Sequence, residues 1–193
     1  MEREELAAEQ VGRTLRRLAH EIIEQAGDLS ALVLIGLRSR GAPMAERLAA
    51  HIEALEGVRP PVGALDITLY RDDLDREGAR AKLQRTDLPF SCQDRGVVLV
   101  DDVLYTGRTV RAALAALVNF GRPRWVRLAV LVDRGERELP VRADFVGRNL
   151  PVRPGEEVQV LLAEVDGRDA VLVRGEPVSE ENARAHASRE KQP

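Results

Sequence analysis

Residues 97–109 read VVLVDDVLYTGRT. Four apolar residues run into two adjacent acids, Asp101 and Asp102. A short turn follows in which Gly107 lies between the hydroxyls of Thr106 and Thr109. The apolar run fits a strand covered on both faces, as in parallel sheets. A strand ending at Val100, a glycine turn and a helix starting near Thr109 would leave backbone N–H groups free at a helix N-terminus, an arrangement that binds phosphate. Gly107 would let the backbone approach a ligand closely. The plainer reading of the same residues is that Thr106 or Thr109 caps the helix. The turn is neither a G-x-x-x-x-G-K-[ST] loop nor a G-x-G-x-x-G fingerprint. The acids repel phosphate, but they can accept hydrogen bonds from sugar hydroxyls or hold Mg²⁺ through water. An Asp-Asp pair alone is usually a polar strand end. Acids followed by an anion-binding turn suit a ribose 5-phosphate.

Outward from this stretch, the chain alternates strand and helix patterns. Leu6, Val11, Leu15, Leu18, Ile22 and Ile23 recur at helical spacing and predict a helix over roughly 4–26, ended by Gly27. ALVLIG (31–36) predicts a buried strand. A helix with Pro43 in its first turn follows, with Met44, Leu48, Ile52 and Leu55 as its inner stripe. VGALDITLY (62–70) and WVRLAVLV (125–132) predict further strands. Between 97–100 and 125–132, Val110, Ala113, Leu114, Leu117 and Val118 mark another helix. The class is α/β: a mainly parallel twisted sheet with helices on both faces, whose ligands bind beyond the carboxyl ends of the strands.

Two segments depart from this alternation. Residues 71–96 carry 12 charged side chains among 26 and no convincing apolar period. Such a long connection suits a flexible lid, with a solvated excursion or an extended hairpin as the alternative. Beyond residue 133, two apolar runs flank Asp166-Gly167, a hairpin signal. They predict a small C-terminal β cap over about 134–175. One domain over 1–178 and a polar tail over 179–193 complete the expected organisation.

The 193 residues carry a net charge of −3, which excludes a globally basic nucleic-acid binder but not a local basic face. The first ten residues, MEREELAAEQ, hold no apolar signal core, and no apolar run is long enough to span a bilayer. Cys92 is the single cysteine, so no disulfide framework or zinc cluster is expected. A cytoplasmic protein with no membrane partner is the expectation. Arginine outnumbers lysine 27 to 2, so only the position of an arginine, not its presence, argues for function.

VVLVDDVLYTGRT resembles the phosphoribosyl-pyrophosphate signature of type I phosphoribosyltransferases at every defining position. GLRSRG (36–41), DITLYRDDL (66–74) and VDRGERELPVRADFVGRN (132–149) further resemble the bifunctional pyrimidine operon attenuation regulators, which are also uracil phosphoribosyltransferases. The likeness runs from about residue 6 to 175. It departs at Glu136, where the resembled pattern has His between Gly135 and Arg137.

The resemblance implies the reaction of uracil with phosphoribosyl pyrophosphate to give UMP and pyrophosphate, with Mg²⁺ as cofactor. It implies catalytic roles for Asp101 and Asp102, which would also hold the metal indirectly. Phosphoribosyl pyrophosphate or nucleotide would be bound by Arg38, Ser39 and Arg40, by Val103, Leu104, Tyr105, Thr106, Gly107, Arg108 and Thr109, and by Arg80 and Lys82 from the lid. Val132, Asp133 and Arg134 form the expected base region. Leader mRNA of the pyrimidine operon is the implied macromolecular partner, with UMP and other uridine nucleotides as effectors and a homodimer or higher oligomer as the assembly.

Arg13, Arg17 and His20 align on one face of the first helix with Arg16 beside them. Residues 134–153 carry a local charge of +2 and include Arg137, Arg142 and Arg148. Charge alone favours an ordinary solvated face here. The resemblance makes these residues RNA-binding candidates, aimed at single-stranded loops. A type I transferase for a purine base, without an RNA role, is the alternative function.

Overall fold

The computed structural model describes residues 2–37, 39–68, 86–153 and 155–175. Its body is a five-stranded parallel sheet in the order β3-β2-β4-β5-β6. The strands are β2 (Leu32–Leu37), β3 (Val62–Leu65), β4 (Gly96–Leu104), β5 (Trp125–Asp133) and β6 (Phe145–Asn149). Side chains of β2 and β4 alternate between two cores, as the two-residue period requires. Leu32, Leu34, Val98 and Val100 face α1 (Ala8–Ala26) and α2 (Gly41–Glu56). Val33, Ile35, Leu37, Val97 and Leu99 face α3 (Arg108–Leu117). Leu15, Leu18 and Ile22 of α1 are fully buried, each stabilising the fold by about 1.5–3 kcal/mol.

The doubly wound α/β class is as expected; several boundaries are not. Residues 2–7 are not helical. They form β1 (Glu2–Ala7), paired antiparallel with β8 (Ala170–Gly175), which itself pairs with β7 (Glu156–Leu161). Good helix formers are overridden here because β8 offers backbone partners, with Arg174 of β8 pairing with Glu2 and Arg3 reaching across β8 to Glu156 of β7. The cap is therefore a three-stranded sheet that includes the N-terminus, and it begins at Glu156 rather than 134. Residues 145–149 belong to the main sheet. Asp166-Gly167 is not a two-residue hairpin turn. A single helical turn, α4 (Ala163–Asp166), precedes Gly167, whose φ of 78° ends it.

In α2 the inner stripe takes Ala45 and Ala49, while Leu55 is 40% exposed. Strand β3 stops at Leu65, not 70, because the Asp66 carboxylate accepts from the Thr68 amide (2.9 Å) and hydroxyl (2.5 Å) and turns the chain. Residues 71–85 of the expected lid lie outside the described residues. Residues 86–96 are not lid: Asp87 pairs with Ala64, Leu88 and Phe90 pack on the core, and Cys92 is buried.

Candidate active site

Connections from the sheet diverge between β2 and β4. From β2 the chain crosses through α2 to β3 on one side; from β4 it crosses through α3 to β5 on the other. The two helices lie on opposite faces, so a crevice opens at the carboxyl ends of β2 and β4, the usual ligand position in such sheets. The pairing of β2 with β4 ends at Gly36 and Val100, whereas β4 continues beside β5 to Leu104 and Asp133. The acids therefore lie within β4, past the point where its β2 neighbour has left. The expected strand end at Val100 is corrected to Leu104.

Glycines set how closely α2 approaches this point. A Cβ on Gly41 would stand 2.2 Å from the Val100 carbonyl oxygen and 3.4 Å from the Asp101 Cα. A Cβ on Gly36 would stand 2.3 Å from both the Gly41 carbonyl oxygen and the Ala42 Cα. Glycine at both positions lets the start of α2 lie directly against Val100 and Asp101 of β4. Asp101 is buried, and its Oδ1 accepts from the Asp102 amide at 3.0 Å. Asp102 Oδ1 accepts from the Val103 amide at 3.0 Å.

Residues 105–107 form the turn into α3. Gly107 is the helix N-cap, with φ of 90°. Thr106 Oγ1 accepts from the Arg108 amide at 3.4 Å, so side-chain capping here is weak. The three carbonyls at and just before the turn are taken by the 134–139 segment. Leu104 O accepts from the Arg134 amide at 3.1 Å, Tyr105 O from Arg137 Nη1 at 2.7 Å, and Thr106 O from the Glu138 and Leu139 amides at 3.1 and 3.0 Å. The amides of Tyr105, Thr106 and Gly107 hydrogen-bond to no acceptor among the described residues. Donors left free on a helix N-terminus suit an anion.

The other sequence-derived candidates are distributed around this centre. Arg38, Arg80 and Lys82 lie outside the described residues. Ser39 is exposed. Arg40 binds Asp166 through Nε (3.0 Å) and Nη2 (2.8 Å). That hydrogen bonding, with the nearby charges of Asp166 and Asp102, outweighs burial and raises its pKa further above the ordinary arginine value. Val103 is half-buried and Leu104 and Val132 are buried, so their side chains serve packing. Tyr105 is exposed, and the Arg134 guanidinium stacks 3.8 Å from its ring centroid. Thr109 is half-buried at the start of α3. Arg108 pairs with Glu138 at 2.6 Å. Asp133 accepts from the Gly135 amide (2.9 Å) and from Arg137 (2.5 Å). Glu136 has φ of 55° and pairs with Arg134 at 2.8 Å.

Among the RNA candidates, Arg13, Arg16, Arg17, His20, Arg142 and Arg148 are exposed. Arg13 pairs with Glu9 at 2.9 Å and Arg17 with Glu21. Arg17 Nη2 also donates to the carbonyls of Val146 (3.1 Å) and Gly147 (2.6 Å) on edge strand β6. Arg137 is bonded within the 133–141 region and to the turn. Sequence reading missed Asp166 as the partner of Arg40, since 126 residues separate them and no local pattern links them. It also missed Leu139 and Val141, which pack 3.3 Å from a Cβ position on Gly107.

No group of three metal-ligating side chains exists among the described residues. Two adjacent carboxylates at the crevice suit a hydrated Mg²⁺ shared with substrate oxygens rather than a protein cage. No helix among the described residues is long and apolar enough to cross a membrane.

A parallel sheet with an acid pair and an amide-lined turn at its switch point defines a phosphoribosyltransferase, and residues 2–165 match the phosphoribosyl transferase domain family, to which this chain belongs. Within it, the chain groups with the proteins called bifunctional protein PyrR. It is 56% identical to that of Chloroflexus aurantiacus over 172 residues, covering 89% of this chain and 94% of the relative. It is likewise 56% identical to that of Deinococcus radiodurans over 166 residues, covering 86% and 91%. The fold is similar to the hypoxanthine phosphoribosyltransferase of Trypanosoma cruzi, with a TM-score of 0.68, 18% identity and coverage of 90% and 97%. It is also similar to that of Staphylococcus aureus, with a TM-score of 0.65, 17% identity and coverage of 91% and 93%.

Proposed function

We propose that this protein forms UMP and pyrophosphate from uracil and phosphoribosyl pyrophosphate, and that it binds pyrimidine-operon leader mRNA in a uridine-nucleotide-dependent way to attenuate transcription. The observation that carries the reading is the acid pair in β4 followed directly by a turn whose three amides bond to no acceptor among the described residues. In this reading the 5-phosphate sits on the amides of Tyr105, Thr106 and Gly107. Asp101 and Asp102 accept hydrogen bonds from the ribose hydroxyls and stabilise positive charge developing on the ring. Ser39 and Arg40, at the start of α2 beside the acids, receive the pyrophosphate. Asp101 and Asp102 would hold Mg²⁺ through water, and the ion would supply charge neutralisation at that leaving group. Catalysis is mainly positioning and electrostatic stabilisation. The end of β5 at Val132 and Asp133, with Arg134 after it, lies beside the turn and supports base recognition there. Arg13, Arg16, Arg17 and His20 with Arg142 and Arg148 offer exposed cations and donors to RNA phosphates and bases.

The test is incubation with Mg²⁺, phosphoribosyl pyrophosphate and a panel of radiolabelled bases. UMP formed only from uracil supports the reading; turnover of hypoxanthine or guanine instead refutes it. For the regulatory half, leader RNA is titrated with and without UMP in a gel shift. Equal binding under both conditions refutes nucleotide dependence. Light scattering reads the proposed homodimer or higher oligomer.

A further inference from the structure

The geometry points to Arg137 as the positioning residue that aims the amides of the 105–107 turn at the ligand phosphate, an inference that rests on the proposed reading of that turn. In a planar trans peptide the carbonyl and the following N–H point in opposite directions. Holding the carbonyls of Leu104, Tyr105 and Thr106 on one side therefore turns the amides of Tyr105, Thr106 and Gly107 to the other.

Arg137 does much of this holding. Its Nη1 donates to Leu104 O (3.3 Å), Tyr105 O (2.7 Å) and Gly135 O (2.9 Å). Its Nε donates to Val141 O (3.1 Å), and Nη2 to Asp133 Oδ2 (2.5 Å). One rigid fork thus ties the turn to both ends of the segment behind it. Lysine has a single nitrogen and cannot span carbonyls on both sides of its stem. Thr106 O, the third carbonyl, is held by the Glu138 and Leu139 amides next to Arg137. Of the five guanidinium N–H bonds, at most one is left for an outside group. That places Arg137 in the nucleotide site rather than on the RNA face to which its charge first assigns it.

Arg137→Lys and Arg137→Gln are compared with the unaltered protein by calorimetry, using UMP and uridine as separate ligands. The far-UV spectrum and melting temperature are recorded for each variant. The expected result is that UMP affinity falls about tenfold or more, the loss of roughly one charge-assisted hydrogen bond, while uridine affinity stays within about twofold. Asp133→Asn keeps the guanidinium but loosens it. Because Asp133 also belongs to the proposed base segment, the ratio of UMP to uridine affinity is read, in which a lost base contact cancels; that ratio is expected to fall about threefold, and it serves if the Arg137 variants do not fold. Equal losses for UMP and uridine, or no loss, overturn the inference. So does loss of leader-RNA binding with UMP affinity intact. If the unaltered protein fails to prefer UMP over uridine, the reading of the turn itself falls, and this inference with it.

Discussion

The guanidinium of Arg40 lies in a two-point ion pair on the carboxylate of Asp166, joining the turn after β2 to the helical turn of the cap. Two turns further along α2, Arg47 pairs with Asp169 (2.6 Å) and Glu164 (2.6 Å) in the same cap segment. The cap is thereby fixed to the end of α2 that faces the acid pair.

These pairs make stability depend on pH. Hydrogen bonds from Arg40 and Arg47 hold the Asp166 and Asp169 pKa values below the ordinary 3.8. Groups with depressed folded values contribute stability that is complete above the unfolded value and lost as pH falls through the folded one. Denaturation midpoints should therefore be flat from pH 7 to about 5 and drop below about pH 4. Asp169→Asn should flatten that drop. At pH 7 it should cost about 1–2 kcal/mol, between exposed and fully buried pairs. A variant with an unchanged acid limb would show that these pairs contribute nothing.

Asp101→Asn combined with Asp102→Asn should reduce UMP formation by at least about a hundredfold. The fold should persist, because amide oxygens can still accept from the Asp102 and Val103 amides. Turnover within a few-fold of the unaltered protein would show that the acids do not serve the ribose.

Gly41→Ala should damage both fold and site. Its Cβ would meet the Val100 carbonyl at 2.2 Å, a backbone atom that cannot rotate away. Prising α2 from β4 should cost about 1–3 kcal/mol in urea denaturation. The Michaelis constant for phosphoribosyl pyrophosphate should rise as the start of α2 moves off the acids. A variant as stable as the parent would show that α2 does not rest on the Val100 carbonyl.

Arg16→Glu with Arg17→Glu should weaken leader-RNA binding by at least about tenfold and lower its salt dependence, each lost phosphate contact removing about 0.7 from the log–log slope. UMP formation should persist, since both side chains are exposed on α1 and Arg17 bonds to Glu21 and β6 rather than to β4 or the 105–107 turn. Arg17 also braces β6 through the Val146 and Gly147 carbonyls, so Arg16→Glu alone should give a smaller loss without disturbing that strand. Unchanged RNA affinity in the double variant would remove the α1 face from the interface.

Much was legible in the sequence because its signal is local. The buried runs in β2, β4 and β5 read as parallel strands, and VVLVDDVLYTGRT announced both acids and turn within 13 residues. The errors arose where distant partners decide. Residues 2–7 have helix-forming composition but become a strand because β8 waits there with unpaired backbone groups. Residues 86–96 look like part of a charged excursion, yet Ala64 and the core hold them down.

By itself, then, the sequence determined the α/β class, the acid pair and the glycine turn, since strand periodicity and turn chemistry act between near neighbours. Only the tertiary structure decided that Asp166 would hold Arg40, that Arg137 would bind the carbonyls of the turn, and that the N-terminus would complete the cap. Those are contacts between segments far apart in the chain. Their geometry is set by how helices and strands pack, which no single stretch of residues encodes.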